Sequence, residues 1–495
     1  MSRIIYIPFD HLNAECGALR DADKATDLVV LVESQRMVHG RPWHRQRLHF
    51  LLSSARHFAA ELQAAGWQVT YLKSATTVDG LQSVLDADPA SELVCAEPSS
   101  FAMTEQLRAL GATFVPNDFF LTPRPLFAQW AAAQKQFTME NFYRAQRRRL
   151  HILMDGDEPV GGAWNFDADN RLPPPKQHDW GPTLQWSFDN IDEQVVAELP
   201  DSAWGELDAK TWGTTRAEAL TALEHFLEHH FQAFGPYEDA MPSQSWSGHH
   251  SLLSPYLNNG LLLASEVVDA ALARFSTGDI PMSSCEGFIR QIIGWREYVN
   301  GMYWFLGQDY RDHNQLHASR PLLPLFHNPS TTQMNCVRTV VSDVHARGWT
   351  HHIPRLMVLS NLALLTAVNP QEFLGWMREV FVDAADWVMV PNVIGMGVHA
   401  DGGQLMTKPY AAGGSYISKM GQFCRDCRYE SKQRIGEDAC PFTTLYWDFL
   451  ARNADAFGSN HRMFQQFAGL RRLSDIEQVR LRAAEVLAGL EAGTV

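Results

Sequence analysis

Apolar residues follow two alternating patterns over the first part of the chain. Short continuous apolar runs predict buried strands at residues 4–8, 27–32, 67–72 and 93–96. Apolar residues also recur at helical spacing over residues 46–65 and 103–110. This alternation is typical of a doubly wound α/β domain, so we predict a parallel sheet flanked by helices over residues 1–135.

The predicted sheet lacks the usual signature of a dinucleotide site. No G-x-G-x-x-G motif follows its first strand, so a Rossmann-type site is not indicated. Ligands of such sheets lie at the carboxyl ends of the strands, which are followed here by residues 8–13 and 33–37. A purely structural role for this domain remains the alternative.

The pattern changes after the first domain. Residues 142–150 are predicted to form a helix that carries four arginines. Such a helix is slightly more often a solvent-exposed face than a contact with phosphate. Residues 155–199 are rich in Gly, Pro and Trp and predict an irregular linker. Helical spacing then continues to the end. We therefore expect an interdomain helix and linker over residues 136–215 and an all-α domain over residues 216–495.

Composition narrows the class of protein. The chain has 495 residues, of which 45% are hydrophobic and 20% charged, as in ordinary globular proteins. A net charge of -15 argues against a strongly basic nucleic-acid binder, although a local basic patch can still hold DNA. Seven cysteines, no signal-peptide pattern and no long apolar run predict a cytoplasmic protein without a membrane span.

Three cysteines close together, Cys424, Cys427 and Cys440, suggest a metal centre. The C-x-x-C pair lets two thiolates of one turn bind one centre, and a third ligand follows on a segment that ends in Pro441. The alternatives are a redox dithiol and unrelated core cysteines. A redox dithiol normally follows a strand, and no strand pattern precedes this pair, so a metal centre is favoured. Zinc and an iron-sulfur cluster remain equally suitable. The candidates for a fourth ligand are Cys16, Cys95, Cys285 and Cys336.

Three segments of the predicted helical domain form a joint pattern. HSLLSPYL at residues 250–257 offers hydroxyls and backbone N–H groups at a helix start, which suits an anion. EGFIRQIIGWREY at residues 286–298 aligns Gln291, Trp295 and Tyr298 on one helix face. GWTHHIPR at residues 348–355 precedes an acidic stretch at 383–392. Each alone is compatible with core packing or a helix cap, but their order resembles the FAD-binding domain of the photolyase and cryptochrome family.

With the cysteines included, the sequence resembles the iron-sulfur bacterial cryptochromes and photolyases, whose members repair (6-4) photoproducts in DNA. The resemblance runs nearly from end to end, through RHFAAEL, TMENFYR, EGFIRQIIGWREY, PNVIGM, TKPYAAGGSYI and CPFTTLYWDFLARN. It implies an α/β antenna-binding domain and an all-α domain that binds FAD. It also implies a [4Fe-4S] cluster with Cys336 as the fourth ligand, which leaves the remaining three cysteines as ordinary thiols.

The resemblance also assigns site residues. Its FAD positions match Tyr237, His250, Ser251, Leu252, Leu253, Ser254, Trp295, Arg296, Arg355, Asp383 and Asn392. His352 matches the active-site histidine, a proton donor to the lesion, and a pKa near neutrality would suit that role. Tyr410 matches a lesion-side position. Where animal (6-4) photolyases have a second histidine, this chain has Leu356, which puts a two-histidine mechanism in doubt.

The electron relay of the family is only partly matched. Trp376 corresponds to the tryptophan nearest the flavin, but Met377 follows where an aromatic is usual. Residues 322–336 also lack the outer tryptophan that the resemblance leads one to expect. Trp387, Trp349 and Tyr416 offer other relays.

A further cofactor and the partners follow from the same resemblance. Asp10 matches an aspartate that binds a 6,7-dimethyl-8-ribityllumazine antenna, whereas a second acidic antenna position is Met37 here. We expect a monomer that binds UV-damaged DNA with the lesion flipped into the FAD pocket. The rival functions are a blue-light signalling cryptochrome with FAD and [4Fe-4S] but no repair, and a DNA-binding iron-sulfur protein that has lost photochemistry. His352 and Tyr410 favour repair.

Overall fold

A computed structural model describes residues 2–495 and contains a five-stranded parallel sheet near the N-terminus. Its strands are β1 (Arg3–Tyr6), β2 (Leu28–Ser34), β3 (Gln68–Ser74), β4 (Glu92–Ala96) and β5 (Thr113–Val115). The spatial order is β3-β2-β1-β4-β5, and every neighbouring pair is parallel. The predicted fold class is confirmed. The sequence pattern missed β5, which is three residues long and only half-buried or exposed.

Helices cover both faces of the sheet. They are α1 (Gln35–His39), α2 (Arg45–Ala64), α3 (Thr77–Ala87), α4 (Phe101–Ala109), α5 (Arg124–Ala132) and α6 (Met139–Leu150). Alternate strand residues enter different cores: Ile4 and Val30 pack with the helices on one face, whereas Ile5 and Val29 join a core that continues into the helical part of the chain. Successive residues of a strand point to opposite faces of the sheet. Because both faces are covered, nearly every strand residue is buried, and the strands appear in the sequence as continuous apolar runs.

The remainder of the chain is mainly helical. Its helices are α7 (Asn190–Glu198), α8 (Arg216–His229), α9 (Phe231–Phe234), α10 (Ser254–Asn259), α11 (Ala264–Phe275), α12 (Met282–Ile289), α13 (Glu297–Leu306), α14 (Asn335–Arg347), α15 (His352–Pro354), α16 (Asn361–Thr366), α17 (Pro370–Val380), α18 (Asp386–Val390), α19 (Gly414–Met420), α20 (Pro441–Arg452), α21 (Ala454–Phe457), α22 (Phe464–Leu470) and α23 (Ile476–Ala492). Helix α7 lies inside the stretch predicted to be irregular. Its start is fixed by a capping box of Asp189 and Asp192, a signal that the surrounding Gly and Pro residues obscured.

Three π-helical segments interrupt the helical region, at Arg290–Arg296, Arg355–Ser360 and Pro391–Gly397. The first replaces the regular helix predicted over residues 286–298. A π-turn adds one residue per turn and redirects the side chains around it, and such segments are frequent at functional sites. Each of these three segments contains at least one residue that the sequence assigns to FAD binding.

The crevice between β1 and β4, where the strand order reverses, is filled by the helical region. Leu12 N–H donates to the Asn259 carbonyl at 2.8 Å, and the Asn13 side chain donates to the Gly260 carbonyl at 3.2 Å. A side chain at Gly260, which has φ +88°, would meet Phe119 at 2.7 Å and Leu12 N at 2.8 Å. The usual ligand position of such a sheet therefore serves here to join sheet and helices.

Within residues 2–495, no helix is both long enough and apolar enough to span a membrane.

Candidate cofactor pocket and cysteine cluster

Arg355 and Asp383 form the charged centre of the candidate pocket. The Arg355 guanidinium donates two hydrogen bonds to the Asp383 carboxylate, at 2.9 and 3.0 Å. The same carboxylate accepts from Ser254 Oγ at 2.7 Å, and Arg355 Nε donates to the Thr350 carbonyl at 2.6 Å. Ser254 begins α10, Arg355 begins a π-segment and Asp383 precedes α18, so this pair joins three parts of the helical region.

A second arginine reaches the same centre through an asparagine that the sequence analysis missed. Arg296 donates to the Asn258 side chain at 2.8 Å, and Asn258 donates to the Asp383 backbone carbonyl at 2.7 Å. The Arg296 guanidinium also lies 4.5 Å from the Phe120 ring centroid and 4.8 Å from that of Trp387. Asn258 follows Ser254 by one helical turn, and this spacing was the available signal.

Two stacked histidines, His250 and His351, share an environment shielded from solvent. The buried His351 stacks on His250, with ring centroids 4.1 Å apart. Burial lowers the pKa of His250 to about 3 and the pKa of His351 well below its ordinary value, so both rings are neutral near pH 7. His250 Nε2 and His351 Nδ1 are buried and have no hydrogen-bond partner within the described chain.

The other residues assigned to FAD lie on the loop before α10, on two π-segments and on the loop after α9. Leu252 adopts a left-handed conformation with φ +58°, which is uncommon for a leucine, and Leu253 N–H donates to Ser251 Oγ at 3.4 Å. Trp295 and Asn392 belong to π-segments and are half-buried. Tyr237 packs against His178, with ring centroids 4.7 Å apart.

These residues fit a large polar cofactor such as FAD. Buried donor or acceptor atoms without partners, among them His250 Nε2 and Arg296 Nε, are unusual in a native protein unless a ligand or water satisfies them. The pocket also combines the Arg355 guanidinium with the Ser251 and Ser254 hydroxyls at the start of α10. Such groups suit the phosphates and polar edges of a dinucleotide.

His352 presents its side chain to solvent, in contrast to the buried His351. Partial desolvation by the surrounding protein and, secondarily, the Arg355 charge lower the pKa of His352. The free protein therefore holds this ring neutral near pH 7, against the near-neutral pKa expected from the sequence. Half-buried Tyr410 lies just before Ala412, whose N–H and C=O bond the Asn361 side chain, which ties this loop to the helix that follows Arg355.

Trp376 is enclosed by phenylalanines. It is 1% exposed, and its ring centroid lies 4.9 Å from Phe326 and 6.0 Å from both Phe373 and Phe381. Phe381 in turn lies under the Arg355 guanidinium at 4.0 Å. Trp376 thus approaches the candidate pocket, but its neighbours on the far side are aromatic residues that are hard to oxidise.

Trp349 has tryptophan neighbours instead. Its ring centroid lies 5.5 Å from Trp246 and 6.1 Å from Trp212, and the Arg355 guanidinium lies 5.7 Å from its ring. Trp246 is half-buried, whereas Trp349 and Trp212 are buried. Among the alternative relays considered from the sequence, Trp349 has the tryptophan contacts that could extend a path toward the surface.

The four cysteines assigned to a cluster come together, although Cys336 lies far from the other three in sequence. Cys336 is in the first turn of α14, and Cys440 caps α20. Cys424 lies within a single 3-10 turn, Phe423–Asp426, and Cys427 directly follows that turn. The Asn335 side chain donates to the Phe423 carbonyl at 2.8 Å, which fixes α14 against the C-x-x-C turn. The other three cysteines of the chain are buried elsewhere.

The four thiols line one cavity, together with Met334, Gly414 and Phe423. Burial, and then the other three thiols, raise the pKa of Cys336 well above its ordinary value. Gly414 approaches so closely that a side chain there would meet Cys440 Sγ at 2.7 Å. Four thiols around one enclosed space, with no disulfide among them, form a donor set that suits a metal or an iron-sulfur cluster.

The two positions compared with an antenna site follow β1 and β2. Asp10 is half-buried beyond β1, and Met37 lies in α1 directly after β2. Because β1 and β2 are adjacent and parallel, both residues lie at the same edge of the sheet. The Met37 carbonyl accepts from Trp43 Nε1 at 2.6 Å. The Met37 side chain is an apolar thioether, where the resemblance leads one to expect an acid.

A carboxylate pair beside Tyr237 also escaped the sequence analysis. Gln291 donates to Glu238 Oε1 at 2.6 Å, and burial raises the pKa of Glu238 to about 8. Burial also raises the pKa of the adjacent Asp239 to about 6. The sequence offered only two consecutive acids after a tyrosine, a pattern too common to attract notice.

Comparisons with known proteins agree with this architecture. The family described as "Deoxyribodipyrimidine photo-lyase-related protein" matches residues 5–212. The chain is 40% identical to the protein named "(6-4) photolyase" of Agrobacterium fabrum over 505 residues, which covers 98% of each chain. An uncharacterized protein of Acanthamoeba polyphaga mimivirus is 32% identical over 108 residues, 22% of this chain and 80% of its own.

A solved structure provides a further comparison. The crystal structure of a bacterial class III photolyase from Agrobacterium tumefaciens matches with a TM-score of 0.57 and 16% identity, and the match covers 99% of this chain and 98% of that one. At this identity the likeness concerns the fold alone.

Proposed function

The chain belongs to the photolyase family, and we propose that it is a light-dependent (6-4) photolyase, which reverses pyrimidine-pyrimidone (6-4) photoproducts in UV-damaged DNA. The observation that carries the proposal is the 40% identity to a protein named (6-4) photolyase along 98% of both chains. The position of exposed His352, three residues before the Arg355–Asp383 pair, supports it at the level of the site.

FAD, when bound and reduced, would supply the electron that starts repair under blue light. Arg355, Asp383 and Ser254 would hold its polar groups, and Arg296 would be fixed by Asn258 at the edge of the same pocket. A bidentate arginine–carboxylate pair has a defined geometry, so it orients what it touches as well as binding it. The remaining positions from Tyr237 to Asn392 complete this binding surface.

His352 and Tyr410 would act on the lesion side. A neutral His352 must gain a proton before it can donate one. An anionic neighbour favours the protonated imidazole, so DNA phosphates and charge placed on the lesion would raise the pKa of His352 from the low value of the free protein. Protonation would thus be coupled to binding of the substrate that needs it.

We further propose that Cys336, Cys424, Cys427 and Cys440 hold a [4Fe-4S] cluster. The spacing of the sulfurs favours a cluster over one zinc ion. A tetrahedral zinc with Zn–S bonds of about 2.3 Å requires sulfurs about 3.8 Å apart. Within the described chain, no three of these sulfurs form a group in which all ligand atoms lie within 4.8 Å of one another.

Trp376 and Asp10 would serve the supply of electrons and of light energy to FAD. Trp376 would pass electrons to FAD during photoreduction, because it lies against Phe381 beside Arg355. Asp10 would contact a ribityllumazine antenna at the sheet edge, where the apolar Met37 removes one acidic contact.

Blue-light repair of a defined oligonucleotide tests the function. The purified protein, reduced and illuminated, should restore the two pyrimidines of a (6-4) photoproduct and should do nothing in the dark. Its absorption spectrum should contain flavin bands together with a broad cluster shoulder. A protein that binds FAD but repairs nothing would be a signalling cryptochrome, and one with a cluster but without flavin would have lost photochemistry.

A further inference from the structure

Phe464, the first residue of α22, is the most exposed aromatic side chain among residues 2–495. It is 66% exposed, while its helix is anchored by Met463 at 2% and Phe467 at 3%. Anchors on both sides hold the exposed ring on a short, fixed helix. A single exposed apolar residue is ordinary by itself, so its surroundings decide whether it has a role.

Those surroundings are basic. Arg462, Arg471 and Arg472 are exposed, and within the described chain none of them forms an ion pair. The Arg471 guanidinium lies 6.0 Å from the Phe464 ring centroid. Three unpaired arginines on the segment that carries Phe464 contrast with the net charge of -15 of the whole chain, and their charge is complementary to phosphate.

This surface borders the lesion side of the pocket. The Asn460 side chain donates to the Thr407 carbonyl at 2.8 Å, and Thr407 lies three residues before Tyr410. Burial is the main cause of the raised pKa of Tyr410, and Arg462 is close enough for its charge to act against that rise. The segment that carries Phe464 is therefore tied to the loop that carries Tyr410.

We propose that Phe464 is a wedge that enters the DNA duplex beside the flipped-out lesion, while Arg462, Arg471 and Arg472 bind the adjoining phosphates. This inference rests on the proposed repair of duplex DNA.

The inserted ring would replace part of the stacking that is lost when the lesion leaves the duplex. Extrusion of a nucleotide costs a few kcal/mol of stacking and pairing and leaves its neighbours without a stacking partner. Proteins that unstack a base step often insert an apolar side chain, and stacking of a base on an aromatic ring is sequence-tolerant. The arginines would add affinity that depends on salt but not on sequence.

Binding to two substrates tests the wedge. The probes are a (6-4)-containing duplex and the same lesion strand alone, each measured with the FAD-containing protein. Phe464→Ala should bind the duplex about tenfold more weakly than wild type and the single strand equally well, because a single strand has no duplex gap. Phe464→Trp, which keeps an aromatic ring, should restore duplex binding. Leu481→Ala truncates another exposed apolar residue, 70% exposed, and serves as the matched control.

The salt dependence of DNA affinity tests the role of the arginines. Arg471→Gln and Arg472→Gln should each lower the slope of log affinity against log salt by about one, with the lesion preference kept. If Phe464→Ala binds and repairs the duplex as well as wild type, the wedge is wrong. If it weakens single-strand and duplex binding equally, Phe464 is only a general contact and the wedge is also wrong. Absence of repair by wild type would instead refute the proposed function, and duplex binding by the Phe464 variants would still decide the wedge.

Discussion

Arg355 and Asp383 are joined by two hydrogen bonds of 2.9 and 3.0 Å in which both side chains are largely buried. A buried ion pair is seldom retained for stability alone, since apolar residues of similar volume often serve as well. This pair also receives the Ser254 hydroxyl and sits where three chain segments meet. We therefore interpret the pair as a group that orients the cofactor, although its burial costs desolvation free energy.

Asp383→Asn should lower both stability and FAD content. The substitution leaves the Arg355 charge buried without a charged partner, which should reduce the free energy of unfolding by about 3 kcal/mol. Denaturant unfolding and the ratio of flavin to protein absorbance measure the two effects. Glu491→Gln is the control, because the Arg320–Glu491 pair is exposed at 39% and 42% and should be worth less than about 1 kcal/mol. Full flavin content in Asp383→Asn would remove this pair from the binding site.

The sequence was sufficient for the architecture because buried parallel strands and amphipathic helices leave clear periodic patterns. Residues 27–32 could be assigned to a strand since both faces of β2 are covered. Short or half-exposed elements such as β5 leave no such pattern. Regular spacing also could not reveal the π-turn at Arg290–Arg296, which depends on packing around the pocket rather than on local propensity.

At the site, the sequence could name residue types but not their partners. The four cysteines were found from spacing and family resemblance together, since the position of Cys336 in space depends on the packing of α14. His351 is buried and His352 is exposed, because consecutive residues at a helix start point in different directions. The sequence alone could not show which of the two would be buried. Asn258 was missed for the same reason: its role exists only where Arg296 and Asp383 meet.

Cys427→Ala should remove iron and sulfide from the protein. Loss of one thiolate leaves a cluster without a ligand, and because metal binding is coupled to folding, the region from α19 to α20 should loosen or the protein should become insoluble. Iron and sulfide analysis of soluble protein measures this directly. Cys285→Ala, which truncates a buried cysteine outside the set, should keep both elements. Soluble wild-type protein with zinc in place of iron would overturn the cluster assignment.

Stability should fall as the pH falls from about 6.5 to about 4, in part because of His230. Burial lowers the pKa of this histidine to about 4, so in that range the unfolded chain binds a proton that the folded chain does not. Stability therefore decreases with falling pH by about 1.4 kcal/mol per pH unit for this group. Its stabilising contribution is complete above pH 6.5 and is lost on the way to pH 4.

The variant His230→Asn isolates this effect from other titrations. Its unfolding free energy, measured by denaturant at several pH values, should depend less steeply on pH between 4 and 6.5 than that of wild type. Gln232→Asn changes a nearby exposed side chain that cannot titrate and should leave the slope unchanged. Identical slopes for wild type and His230→Asn would show that His230 titrates normally in the folded protein.

Trp376→Phe should slow photoreduction of the flavin and leave repair by chemically reduced enzyme intact. Loss of the indole removes the oxidisable ring nearest Phe381, and its neighbours Phe326 and Phe373 cannot take its place. The bleaching rate of the flavin band under blue light with a soluble thiol measures the effect. Trp447→Phe serves as the control, because Trp447 contacts the Tyr446 ring and none of the rings around Trp376. Unchanged photoreduction in Trp376→Phe would direct the relay to Trp349 and its contacts with Trp246 and Trp212.

Repair of (6-4) photoproducts needs a proton at the lesion, and His352 is the candidate donor. Reversal returns an oxygen or amino group from one pyrimidine to the other after electron injection, and a positioned imidazole is suited to assist that transfer. His352→Asn should therefore abolish repair under blue light while FAD content and lesion binding stay close to wild type. The exposed side chain makes few contacts whose loss would unfold the protein.

The assay is product formation from a defined (6-4) duplex, with flavin absorbance and lesion affinity measured on the same preparations. His39→Asn, a substitution of an exposed histidine in the sheet domain, should repair normally. The pH profile adds a second criterion: if protonated His352 is the donor, repair by wild type should decline as pH rises through the pKa of His352 in the DNA complex. Equal repair by His352→Asn and wild type would exclude His352 from the mechanism and leave Tyr410 as the lesion-side group to test.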